Sequence, residues 1–213
     1  MLRQQLLDTS RGRVVTLLRR GGLTADDIAA KLKLTTSAVR AQLTGMERDG
    51  VVRRIGQRAG TTRPSQVFEL TPEVEQLLSQ AYVPLLSQFV RVLTRGLPTK
   101  TVNGLMREAG RELAEELSGG RRPSGALRNR VGLASQLMND QLGALTHVEA
   151  NGGYVIRGAG CPLAALTGKH PAVCLAMESF VSEIVSVTAR ECCDRTGRPN
   201  CCFKMQEERA RTS

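Results

Sequence analysis

All six cysteines of this 213-residue chain lie between Cys161 and Cys202, and the 160 residues before them contain none. A segment that gathers Cys161, Cys174, Cys192, Cys193, Cys201 and Cys202 must fold so that thiols from separate stretches meet. Disulfides, a zinc ion and an iron–sulfur cluster each impose such a constraint. Disulfides suit small secreted domains with little core. This chain is long enough for a sizeable core, and its opening MLRQQLLDTSRGR contains no apolar run like a signal peptide. No stretch approaches the roughly 20 apolar residues of a membrane span. A reducing cytoplasm is the expected setting, where clustered cysteines point to metal or redox chemistry. Structural zinc sites use tight C-x2–4-C pairs. The wider spacings here, twelve residues between Cys161 and Cys174 and seven between Cys193 and Cys201, suit a bulkier thiolate-held cluster.

Charge points to a second function. The net charge is +10, and residues 1–70 hold thirteen Lys and Arg against six Asp and Glu, so most of the excess sits in the first third. A basic balance of this size implies a polyanionic partner. At 3% aromatic residues the chain lacks the stacking platforms of single-strand binders, which leaves duplex DNA.

The same first third carries a patterned series of elements. RGRVVTLLRR places Val14, Val15, Leu17 and Leu18 at helical spacing and stops at Gly21–Gly22. Thr24 caps a second helix, TADDIAAKL, whose Asp26 and Asp27 favour its positive end. Thr35 or Thr36 caps a third, with Val39, Leu43 and Met46 on one side and Ser37, Arg40, Gln42 and Thr44 facing outward. Two strands, VVRRI and QVFEL, flank the basic loop GQRAGTTRPS. This order predicts a winged helix-turn-helix. Its third helix would enter the major groove of an operator with Thr35, Thr36, Ser37, Arg40, Gln42 and Thr44, and Arg53, Arg54, Arg58 and Arg63 of the wing would reach the backbone or minor groove.

Residues 72–97 read as one amphipathic helix that can kink at Pro84, followed by a helix over about 101–118 that ends at Gly119–Gly120. Their apolar stripes can close within one chain or against a second copy, and a homodimer is expected because such readers bind paired half-sites. Further on come a helix through GALRNRVGLASQLMNDQLGAL and a hairpin turning at Asn151–Gly152–Gly153. The next segment holds Cys161 and Cys174 near helix starts, where thiolates are favoured. In the final hairpin, Cys193 faces Cys201 and Cys192 faces Cys202. Cys201 shares a face with Phe203 and Met205, whereas Cys202 shares one with Lys204 and Gln206. A shielded centre should therefore use Cys161, Cys174, Cys193 and Cys201. Cys192 and Cys202 serve as alternates if the strands slip by one residue. His170, before Pro171, reads as a turn residue.

The predicted fold class is mainly α with small β, in three parts. Residues 1–71 form the winged helix-turn-helix, 72–120 a helical linker and dimerisation segment, and 121–213 an α+β cysteine-rich domain. Nothing suggests an enzyme or a small-molecule substrate: there is no Walker-type glycine loop, GxSxG or HExxH, and the chain has only two histidines, His147 and His170.

The stretch LTADDIAAKLKLTTSAVRAQLTGMERDGVV, the later GCPLAALTGKHPAVC and a late G-x3-C together resemble the SufR-like repressors, iron–sulfur-binding regulators of the DeoR/ArsR-type winged-helix group. The resemblance implies a cytoplasmic homodimeric repressor of cluster-assembly operons whose bound cluster favours DNA binding. It implies Cys161, Cys174 and one late cysteine as ligands. The late one is Cys201 by distance from Gly197 or Cys202 by distance from Cys174, and the cysteine doublets leave the fourth ligand open. The expected cofactor is an iron–sulfur cluster, [4Fe–4S] in preference to [2Fe–2S], although one thiolate set can hold either. The alternative is a winged-helix regulator with a zinc or thiol-redox sensor at the same cysteines.

Overall fold

The computed structural model describes residues 7–59, 64–120, 124–150, 152–193, 197 and 199–206. The chain is mainly helical with two small antiparallel sheets, and it divides into two compact units, Met1–Gln80 and Ala81–Ser213.

In the first unit the elements run α1 (Ser10–Leu18), β1 (Leu23–Thr24), α2 (Ala25–Leu32), α3 (Thr36–Arg48), β2 (Val52–Arg58), β3 (Ser65–Leu70) and α4 (Pro72–Leu78). Three helices, with β1 between the first two, precede the β2–β3 hairpin, and the sheet order is β1-β3-β2, which is a winged helix. Local chemistry sets the helix starts. Thr24 and Asp27 form a reciprocal capping box at α2, and Thr35 caps α3 by accepting the Ala38 N–H. Lys33, at φ 55°, turns the chain between the two helices. Val14, Leu18, Ile28, Val39, Leu43, Met46 and Val52 are almost fully buried and hold α3 against the other helices and the sheet. Burial of each such side chain contributes about 1.5–3 kcal/mol. Gly22 sits where a Cβ would fall 2.9 Å from the side chains of both Ile55 and Val67, so any larger residue there would have to displace them.

The segment read as one helix over 72–97 is two. α4 ends at Leu78 and α5 begins at Tyr82, with Ser79 extended between them. Pro84 does not kink the helix: it lies in the first turn of α5, where its missing N–H has no partner to lose.

The second unit continues with α5 (Tyr82–Gly96), α6 (Thr99–Ser118), α7 (Leu127–Leu142), β4 (Thr146–Glu149), β5 (Val155–Gly158) and α8 (Ala164–Thr167). A 3-10 turn over Pro171–Val173, α9 (Cys174–Val185), β6 (Thr188–Glu191) and β7 (Cys202–Gln206) complete it. The sheet order is β4-β5-β7-β6. α9 is the centre of the unit: Met177, Phe180, Val181, Ile184 and Val185 are buried against α6, α7 and the inner face of the sheet, including Ile156 and Phe203. Gly110 of α6 allows that helix to approach α9 at the Ala176 carbonyl. Phe203 and Met205 face inward and Lys204 outward, as the alternation predicts. Among the described residues, no helix is long and apolar enough to cross a membrane.

Candidate functional site

The winged-helix unit presents α3 and the β2–β3 hairpin. Thr35, Ser37, Arg40 and Thr44 are exposed on or at the start of α3. Thr36 is half-buried and donates from Oγ1 to Asp26 Oδ1 at 2.9 Å, which ties the head of α3 to α2. Thr44 donates to the carbonyl of Arg40, one turn back. Gln42 departs from the outward position read for it: it is half-buried and donates from Nε2 to Ser10 Oγ of α1 at 2.7 Å. Its helix position, one residue before the buried Leu43, turns it toward α1 and makes it a brace for α3.

The wing arginines are held by the protein's own carboxylates. Arg53 pairs with Glu69 at 2.6 Å, Arg54 with Glu47 at 2.8 Å and Arg58 with Asp27 at 3.0 Å. Arg54 also lies over the Phe68 ring, 5.8 Å from its centre. These pairs are exposed and weak; they orient the side chains along the hairpin without neutralising them in a way DNA could not displace. A cleft of about 330 Å³ between α3 and the hairpin is lined by Arg40, Thr44, Arg54 and Gln66, among others. Arg63 lies outside the described residues.

In the second unit the geometry of the cysteines follows from three staples. First, the loop after β5 is bound to the residue before β7: the Gly158 N–H donates to the Cys201 carbonyl at 2.8 Å, and the Cys201 N–H donates to the Gly160 carbonyl at 3.2 Å. A Cβ on Gly158 would lie 3.3 Å from Cys201 Cβ and 2.9 Å from the Gly160 oxygen, so glycine is what lets these backbones meet. This brings the Cys161 and Cys201 thiols into hydrogen-bond contact. Second, Cys174 opens α9 directly after the 3-10 turn, buried at the positive end of a twelve-residue helix. Third, Glu178 of α9 accepts the Glu191 N–H at 2.9 Å and the Arg190 guanidinium at 3.3 Å, pinning the end of β6 beside the first turns of α9. Cys193 follows two residues later. Its Sγ accepts the Cys202 N–H at 3.2 Å.

Of the four cysteines read as a shielded set, none is in a disulfide; Cys201 lies within electrostatic reach of Cys161, Cys174 and Cys193, and Cys193 within reach of Cys174. The contact with Cys161, together with burial and the neighbouring Cys193 and Cys174, pushes the Cys201 thiol far above its ordinary range. Burial pushes Cys193 up to about 12, with Glu191 and Cys174 adding to the rise and the Cys202 N–H opposing it. Both thiols are therefore protonated at neutral pH.

Cys192 and Cys202 are different. They lie opposite each other, with the Cys192 N–H donating to the Cys202 carbonyl at 2.8 Å, and a disulfide joins them. This corrects two expectations: the chain carries a disulfide, and the two alternate ligands are used up by each other. Cys202 is also buried, not solvated with Lys204, because Cys192 covers it. Cys193 does not face Cys201 across the ladder. β6 ends at Glu191, so Cys193 leaves the sheet and turns its sulfur onto the Cys202 backbone.

The donor chemistry can be weighed against a metal group. Among the described residues, no three His, Cys, Asp or Glu side chains stand so as to hold a single metal ion. A multi-iron cluster is larger, and its thiolates surround a body of several atoms. Four thiols from two loops, a helix start and the end of a hairpin fit that group in number and softness, with the Glu191 carboxylate standing against Cys193. His170 is no part of the set: it closes the turn before Pro171, with its Nε2 3.3 Å from Ser87 Oγ.

Sequence reasoning did not single out Glu178, Gly158 or Ser87. Glu178 had a signal, a carboxylate in the otherwise apolar run CLAMESFVSEIV. The other two act through contacts remote in sequence, which no local pattern announces.

Against known proteins, the DprA winged helix domain matches residues 3–57. The crystal structure of Bacillus subtilis PadR in complex with operator DNA is similar at 16% identity and a TM-score of 0.30, covering 84% of this chain and 98% of that one. No curated protein matches the chain. The match over residues 3–57 agrees with the geometry on the class of the first unit, a winged helix.

Proposed function

We propose that the chain is a DNA-binding transcriptional regulator, acting as a repressor, that senses iron–sulfur cluster or redox status through Cys161, Cys174, Cys193 and Cys201 and controls cluster-assembly genes. It works in the cytoplasm as a homodimer on a double-stranded operator. What supports this reading is the approach of two buried thiols, Cys174 and Cys201, and two half-buried ones, Cys161 and Cys193, in a chain whose other unit is a basic winged helix.

When bound, a cluster would supply a cross-link among four otherwise separate segments. Each thiol must lose its proton to become a ligand, so loading releases protons and weakens in acid. The protein's part is positional. Gly158 and Gly160 hold Cys201 beside Cys161, the start of α9 presents Cys174, and Glu178 anchors the arm bearing Cys193. Arg40 and Thr44 would address base edges from α3, with Arg53, Arg54, Arg58 and Arg63 on the backbone. DNA phosphates would compete with Glu69, Glu47 and Asp27 for three of these arginines. Gain or loss of the cross-link would shift the dimer between a binding and a non-binding geometry.

A specific observation favours a second reading, the Cys192–Cys202 disulfide. In that reading the cysteines are a thiol-redox or zinc sensor, and a dithiol reductant opens the bridge by delivering two electrons and two protons. Anaerobic reconstitution with iron and sulfide, followed by metal analysis and a visible absorption spectrum, separates the readings. The first expects iron, acid-labile sulfide and a broad visible band that Cys201→Ser abolishes and Cys192→Ser retains. A colourless protein that takes up no iron, or loads zinc alone, overturns it.

A further inference from the structure

α5 lies on the second unit almost edge-on. Of its side chains only Val90 is buried, in a small cluster with Leu166 and Val173 against Met106 and Leu163. Its outer surface is apolar: Tyr82, Val83, Leu85, Leu86, Phe89 and Val92 are 45–64% exposed. Four of these, Tyr82, Leu85, Phe89 and Val92, follow one another at intervals of three, four and three residues. That is the spacing of a seam that packs against another helix, not of a solvated face. Counting about 150–250 Å² for each large side chain when fully exposed, the six leave roughly 600 Å² open. This is at the upper end of what a monomer leaves bare, about 300–600 Å². It is also most of the about 800 Å² per partner that a stable interface buries.

We infer that this face is the seam on which a second copy of the chain docks, with the two α5 helices antiparallel about a two-fold axis that passes between Leu85 and Phe89. The inference gives a location to the dimer of the functional reading above. The seam is self-complementary in that direction: Tyr82 meets Val92 of the other copy, and Leu85 meets Phe89, so each contact sets a larger side chain against a smaller one. Charge selects the same direction. α5 contains no Asp or Glu, and both of its cations, Arg91 and Arg95, sit in its second half. A parallel pair would bring four arginines together without a counter-charge from the helices; an antiparallel pair sends them to opposite ends.

The inner edge of α5 gives the seam a route to the cysteines. Val90 touches Leu166 and Val173, and Ser87 lies 3.3 Å from His170; all three partners belong to the segment that runs from Cys161 to Cys174. A shift of that segment would move the helix on which the copies pair.

The test is the mass of the full-length protein in solution, by light scattering after size exclusion. The wild-type chain should have the mass of two chains. Phe89→Glu and Leu85→Lys should each halve it, with the circular dichroism spectrum unchanged because both residues are exposed in the single chain. The double variant Leu85→Lys/Phe89→Glu should recover the dimer, since antiparallel pairing puts each lysine opposite a glutamate. A wild-type monomer, single variants that stay dimeric, or a double variant that stays monomeric overturns the inference, and so does a monomer that binds lipid vesicles through this face. No DNA or metal enters this test: a wild-type monomer removes the dimer of the functional reading as well, whereas single variants that stay dimeric overturn the seam alone, and the seam can hold while the sensing reading fails.

Discussion

Gly110 allows the packing of α6 on α9 to be tested with one methyl group. An ideal Cβ there would lie 2.0 Å from the Ala176 carbonyl oxygen, 2.8 Å from its carbon and 2.9 Å from Ser179 Cβ. All three obstacles belong to α9, two of them to its backbone, and that helix is fixed by Phe180, Val181 and Ile184 in the core. Gly110→Ala must therefore drive the helices apart. Overpacking of this kind costs about 1–3 kcal/mol, and a backbone obstacle puts it at the upper end. Replacing a helical glycine with alanine returns about 1 kcal/mol. The net loss is about 2 kcal/mol, or a fall in melting temperature of roughly 5–10 °C for a unit of this size. Gly104, on the same helix with nothing within 4 Å of its Cβ position, is the internal control: Gly104→Ala should gain up to about 1 kcal/mol. Thermal and urea unfolding of the full chain, followed by circular dichroism, measures both. If Gly110→Ala is as stable as wild type, or the two substitutions shift stability in the same direction, the close approach of α6 and α9 is wrong. The same displacement moves Cys174, so Gly110→Ala should also take up less iron than Gly104→Ala.

Arg40→Ala should weaken operator binding by about 1–3 kcal/mol, roughly 5- to 150-fold in Kd, whereas Glu47→Gln, which frees Arg54, should steepen the salt dependence of log Kd by about 0.9; binding titrations at several salt concentrations measure both. Asp27 is held below the usual carboxylate range, chiefly by the Thr24 N–H, with the Thr24 hydroxyl, Arg58 and Lys31 adding to the effect against desolvation. A depressed folded-state value means stability that is present at neutral pH and lost as pH falls through that value. Melting of the wild type should therefore fall more steeply on acidification than that of Asp27→Asn, and Thr24→Ala, which removes the N-cap, should cost about 1 kcal/mol at pH 7. Reducing the Cys192–Cys202 bridge, which spans ten residues of sequence, should lower the stability of the full chain by about 2–3 kcal/mol in denaturant titrations.

The parts of this chain that could be read from sequence are those set by local chemistry. Thr24, Asp27 and Thr35 announce their helices because caps act within four residues, and Val39, Leu43 and Met46 mark the inner side of α3 by period alone. Phe203 and Met205 likewise fix the inner face of β7, and with it the inward side of Cys201. The break between α4 and α5 was hidden because the apolar pattern runs across Ser79–Ala81, and only packing decides where one helix stops. Gln42 was misread because its outward face meets α1, an element 32 positions earlier. The fate of the two cysteine doublets depended on where β6 ends. One residue of ladder more or less decides whether Cys193 faces Cys201 or turns back onto Cys202, and no side-chain pattern encodes that.

The central claim is that the state of four thiols governs the hold on DNA. Operator affinity of anaerobically reconstituted protein, compared with the same preparation after its iron has been removed by a chelator, tests it directly. The account predicts at least a tenfold tighter Kd for the loaded protein, with the difference abolished in Cys201→Ser. Equal affinities in the two states would contradict it.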